Sequence, residues 1–269
     1  MTKKFAFIIF ILLHFQSGKI LANYEKTDSM CMHKIEFNTG ICSYSSIDEL
    51  YSFKEYTGSD MSFELQYTYH ALKTMQNVNI NYTSIERMPL NLTIPGNFIA
   101  ADDRYRKLVS LIVELNYGYL RKIWTNKLDV FAGASFFNSF NMSFASYYVP
   151  ELMISSIAPG LYFEKKYNPH AFKLQFSVPL ISITLRNNYS TARPQNYEKS
   201  DDIKYVRDNI QVQFPDKLFV VYTKIGYEYA LRNRLNLSTQ YTFVYVNNTF
   251  PRQLTSVKGN YTIGISYKF

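Results

Sequence analysis

The residues able to do chemistry are few and scattered. Beyond residue 22 there are three histidines, His33, His70 and His170, the Asp102–Asp103 pair ahead of a strand, and two cysteines, Cys31 and Cys42. A nucleophile, its base and an orienting acid must come within hydrogen-bond reach of one another. No Asp-x-His pair follows Asp103 to supply that set. No phosphate-cradling loop, nucleophile elbow or metal-ligand spacing occurs either, so neither metal nor cofactor is expected. The remaining candidates are the charges Lys34, Glu36, Glu64, Glu114, Asp129, Glu164, Lys173, Lys224 and Glu228. Each alternates with large apolar neighbours, as in Lys34-Ile35-Glu36-Phe37. That is the period of a strand, whose successive side chains point to opposite faces. The chemistry this spacing allows is the pairing of acids with bases on one enclosed face.

Ten segments carry that alternation: 34–41, 63–70, 78–83, 110–119, 128–135, 157–164, 172–178, 219–229, 235–245 and 260–269. One face is rich in Ile, Leu, Val, Phe and Tyr, and the other in Asn, Gln, Ser, Thr, Gly and charge. Apolar-out, polar-in alternation is the rule for a strand between lipid and a barrel lumen. Connections alternate in length, with short ones near 74–77, 121–127, 166–170 and 231–234. Longer ones lie near 45–60, 88–103, 141–151, 187–216 and 247–253. Short turns on one side and long loops on the other, with both termini on the short-turn side, fit an up-and-down transmembrane barrel. The expected fold is therefore all-β, an antiparallel barrel of about ten strands, within eight to twelve. On this topology all three histidines fall at the end that carries the termini.

Composition agrees. Aromatics make up 17% of the chain and hydrophobic residues 47%, yet the sequence holds only one long apolar run, near its start. That run, 5–15, follows Lys3 and Lys4 and precedes the small residue Ala22, the pattern of a secretory signal peptide. It is too short for a membrane helix, which needs roughly 20 apolar residues. Residues 1–22 are expected to be a signal peptide and 23–269 the barrel. Removing Lys3, Lys4 and Lys19 lowers the formal charge from +8 to +5. That is too mild and too dispersed for nucleic acid. If Cys31 and Cys42 share the first strand, 11 residues at about 3.3 Å each hold them roughly 36 Å apart, far beyond disulfide reach.

The last nine residues resemble the C-terminal assembly signal of Gram-negative outer-membrane proteins. The terminal aromatic is Phe269, with apolar residues at alternate positions through Tyr267, Ile265, Ile263 and Tyr261. The resemblance implies an outer-membrane location, recognition by the barrel-assembly machinery during biogenesis, and periplasmic N- and C-termini. The Asn-, Tyr- and Lys-rich composition is similar to that of barrels from the Bacteroidota. The function expected is a barrel plugged by its side chains, acting as a structural, receptor or accessory-subunit protein. Two alternatives stand beside it: a narrow pore or transporter, and a rim hydrolase like the omptins or lipid A deacylases. Membrane lipid, lipopolysaccharide and other outer-membrane proteins are the expected partners. Arg87, Arg104, Arg106 and Lys107 form a basic cluster suited to lipopolysaccharide phosphates, because planar guanidiniums match phosphate geometry.

Overall fold

The computed structural model describes residues 31–49, 52–89, 108–144, 148–186, 209–232 and 234–269. The signal-peptide segment 1–22 lies outside them. Period-two alternation produces only strands: β1 (Met32–Asp48), β2 (Ser52–His70), β3 (Thr74–Pro89), β4 (Leu108–Thr125), β5 (Asp129–Phe144) and β6 (Tyr148–Tyr167), then β7 (His170–Ser177), β8 (Ile181–Leu185), β9 (Ile210–Gln213), β10 (Leu218–Ala230), β11 (Leu235–Asn248) and β12 (Leu254–Lys268). Each pairs antiparallel with its neighbours, and β12 returns to pair with β1 over Lys34–Lys268 to Asp48–Leu254. β7 and β8 lie end to end along β6. β10 pairs with β7 and β9 with β8, so the twelve segments make ten wall strands. The result is a closed, all-β, ten-stranded up-and-down barrel.

Followed from partner to partner round the wall, Met32 passes through His70, Leu120, Gly160 and Tyr222 and returns to β1 at Tyr44. The shear is thus 12 residues. With ten strands about 4.7 Å apart rising about 3.3 Å per residue, that shear fixes a tilt of roughly 40° and a backbone diameter of roughly 20 Å. Such a lumen admits side chains and little else.

β2 has 19 residues and β6 has 20. At that tilt each climbs far more than the roughly 25 Å apolar band of a membrane barrel. Two loop expectations are corrected as a result. Residues 45–60 are mostly strand, with β1 and β2 joined through 49–51, and 141–151 are mostly β5 and β6. The alternation persists there with its polarity reversed. Ser43, Ser45, Ser59 and Ser84 face outward, while Cys42, Tyr44 and Ile85 are buried. A search for apolar-out residues therefore ends these strands too early. Likewise β9 lies within the expected loop 187–216, of which 187–208 fall outside the described residues.

The short connections 71–73, 126–128, 168–169 and 231–234 gather at one rim with the ends of β1 and β12. There the His33 and Phe269 backbones exchange hydrogen bonds at 3.0 and 3.1 Å. The expected turn 74–77 is instead the start of β3, and 121–125 of the expected turn 121–127 belong to β4.

Candidate functional site

The barrel wall turns every second side chain inward, so the interior is the one place where dispersed charges meet. From the terminal rim upward, Glu164 accepts from Lys166 at 2.9 Å and lies 4.0 Å from His70 Nε2. Asp129 pairs with Lys122 at 3.2 Å. Beside them, at the height of the charges that follow, Met75, Leu120, Phe131 and Tyr162 form an apolar cluster. Phe131 meets Tyr162 edge-on at 5.8 Å.

A charged centre follows. The Lys34 ammonium donates to Glu36 at 2.6 Å and to Glu228, and Lys173 also donates to Glu228. Gln240 donates to Glu36. One step higher, Lys224 meets Glu64 at 2.5 Å and Gln66 at 2.9 Å, and Asn79 donates to Glu64 at 2.8 Å. Lys258 pairs with Glu114. Four lysines therefore face four glutamates. Removing a charge from water costs several kcal/mol unless a partner and further hydrogen bonds compensate it, and here each acid has such a partner.

Lys258 was not among the expected interior charges. It continues the phase of Asn260 by two residues, so extending the last strand upward would have found it. The pair Arg186–Asp48, at 2.6 Å, was missed as well. Asp48 lies where the loop 45–60 was expected, and Arg186 between the expected strand 172–178 and the expected loop 187–216. Arg186 also donates to the carbonyls of Phe250, at 3.1 Å, and Arg252, which ties β8 to the top of the wall.

Over the charged centre lies a feature that alternation alone did not reveal. Phe137, Leu152, Ile154, Leu218, Val220, Tyr222, Val244, Val246 and Leu254 form one buried apolar cluster inside the barrel. Cys42, Tyr44, Ile85 and Ile112 form another. Two voids remain beneath it, about 20 and 30 Å³ of space for water centres, room for one or two waters each. Both are lined by Gln66, Gln175 and Lys224.

Arg87 is corrected relative to its expected place on the outer rim. Its position on β3 is inward, its side chain is fully buried, and it donates to Ser46 Oγ at 2.5 Å above the Tyr44 ring. Arg104, Arg106 and Lys107, like Asp102 and Asp103, lie outside the described residues. His33 and His170 face outward at the terminal rim, each with Nδ1 2.7 Å from a tyrosine hydroxyl, Tyr67 and Tyr227. The three histidines stand on different strands and are not brought together. Cys31 is exposed, Cys42 is buried, and no disulfide joins the two. Tyr261, Ile263, Ile265, Tyr267 and Phe269 form the outward, exposed face of β12 and its end.

No family model matches this chain, and no curated protein does. Among solved structures it is similar to Neisserial surface protein A, at 12% identity and a TM-score of 0.35, over 88% of this chain and 97% of that one. It is also similar to the outer membrane protease OmpT from Escherichia coli, at 8% and 0.37, over 92% and 100%. The translocator domain of the autotransporter NalP from Neisseria meningitidis gives 9% and 0.38, over 99% and 97%. At these scores the likeness carries nothing about role, and the barrel stands on its own strand pairing.

Proposed function

We propose that this chain is an integral outer-membrane β-barrel whose lumen is closed by its own side chains. On this reading it acts through its surface, as a structural element, receptor or accessory subunit, and passes no solute. The observation that carries the reading is the filled interior: paired charges with one apolar cluster beside them and others above, and voids of only a few water volumes. Membrane residence is supported by the outward face, where Phe37, Ile41, Ile225 and Ile263 are each more than half exposed. Soluble monomers rarely leave so continuous an apolar surface to water, and closure pairs every wall strand as lipid requires. The β12 face ending at Phe269 is assigned to the barrel-assembly machinery, and Arg104, Arg106 and Lys107 to lipopolysaccharide. The test is single-channel recording of purified protein in planar bilayers. Negligible current is expected, and sustained steps would overturn the reading. The second reading is a narrow water or ion path, favoured by Gln66, Gln175 and Lys224 lining both voids. It requires such current, and its loss when Gln66 or Gln175 is enlarged.

A further inference from the structure

Every hairpin at the terminal rim carries, in its turn or on the strand end beside it, an exposed apolar side chain next to basic residues. Leu72 precedes Lys73; Ile123 and Trp124 lie between Arg121 and Lys127; Tyr167 follows Lys165; and Leu231 precedes Arg232 and Arg234. Leu72, Ile123 and Trp124 are each more than 60% exposed. This departs from an ordinary polar turn, because water offers nothing to a large apolar tip.

The charges are one-sided as well. The acids at this rim, Asp129 and Glu164, are already held by Lys122 and Lys166. Lys73, Arg121, Lys127, Lys165, Arg232 and Arg234 form no salt bridge with any carboxylate side chain among the described residues. Lys165 lies over the Tyr167 ring at 4.9 Å, and Arg234 reaches the Tyr267 hydroxyl at 3.5 Å. Both contacts hold the cation beside an aromatic at the edge of the apolar belt. Directly above stands a row of aromatics that includes Tyr69, Phe172, Tyr229 and Tyr267, the depth at which amphipathic rings settle at a membrane–water interface. The rim is continuous with the lipid-facing wall and is not a separate patch.

We infer that this rim is a docking surface for anionic phospholipid headgroups, with the six cations meeting lipid phosphates and the four turn tips entering the interface. Basic residues near a membrane surface attract anionic lipid and fade in effect with salt. An apolar tip beside each basic site adds depth of insertion that a polybasic loop alone lacks. The inference rests on the membrane reading proposed above, and it is independent of whether the lumen conducts.

Trp124 is the sole tryptophan in the chain, and it sits within this rim, so it reports on its own lipid neighbours. The full chain, folded into phosphatidylcholine vesicles, would be exposed to equal mole fractions of brominated phosphatidylglycerol or brominated phosphatidylcholine. The anionic lipid should quench Trp124 about threefold more effectively. That preference should collapse at about 0.5 M salt, and in a variant combining K73Q, R121Q, R232Q and R234Q, with folding checked by circular dichroism. Equal quenching by the two lipids overturns the proposal. A second variant, W124F with F176W, places the reporter in the apolar belt. Quenching there without quenching of Trp124 sinks the rim proposal alone. Quenching at neither position sinks the membrane reading beneath it.

Discussion

At the residue scale the molecule is governed by the cost of a buried charge without a partner. Glu228 holds both Lys34 and Lys173. Glu228→Gln takes from Lys34 and Lys173 the carboxylate they share, leaving Glu36 to Lys34 and Glu164 across the strand from Lys173. Losing one member of a buried pair typically costs about 3–5 kcal/mol, and the urea midpoint of the vesicle-folded protein should fall accordingly. Glu64→Leu should behave similarly, because it strands Lys224. Adding Lys224→Met should recover much of that loss, since an apolar pair carries no desolvation penalty. A double variant no more stable than Glu64→Leu would show that the pair is not what holds this layer. The cysteines give a simpler test of facing. Cys31 should react with a maleimide in the folded barrel, and Cys42 only after unfolding, because one is exposed and the other buried.

At the element scale the seam between β1 and β12 closes the barrel, and its strands leave no room for a side chain at two glycines. A Cβ at Gly40 would lie 1.9 Å from the Tyr261 carbonyl oxygen, and one at Gly264 would lie 1.8 Å from Asn38 Oδ1. Backbone cannot yield as a flexible side chain does. Gly40→Ala should therefore destabilise the barrel by about 1–3 kcal/mol, the usual range for overpacking. Unfolding at an unchanged midpoint would show that the strands part there at little cost. Element boundaries were also where the sequence was least legible. Lower strand halves announce themselves because the outside is apolar and the inside charged. Beyond Ile41 on β1 and Met61 on β2 the same period continues with serines outside and Cys42 and Tyr44 inside. A reading keyed to apolar-out residues stops at that inversion and assigns a loop. Arg87 was misplaced for the same reason: a basic residue in a supposed loop reads as exposed, whereas on an extended strand its position is inward.

At the scale of the whole molecule, ten strands with a shear of 12 leave a lumen that side chains fill, and the filling is layered. Charge pairs alone would leave a hydrated centre, as the two small voids show. The apolar cluster above them adds an apolar layer, which on the plugged-barrel reading is the barrier to ions. Replacing Leu218, Val220 and Val244 together by serine should open that layer. Stepwise current, absent from the unaltered protein, should then appear in planar bilayers, with the outward face and the strand pairing intact. A silent triple-serine variant that still folds would place the barrier in the charged layers instead.

The sequence by itself determined the ten walls, their order up and down, and the inward facing of Lys34, Glu36, Glu64, Glu114, Lys173, Lys224 and Glu228. A two-residue period is a local property, written wherever one side of a strand is apolar and the other polar. It could not say which acid meets which base, because partners such as Lys34 and Glu228 stand 194 residues apart and meet only once the shear is set. Nor could it place the apolar cluster, whose members come from several strands and only in the closed barrel lie side by side. Closure decided both: it turned a repeated local pattern into a particular set of layers.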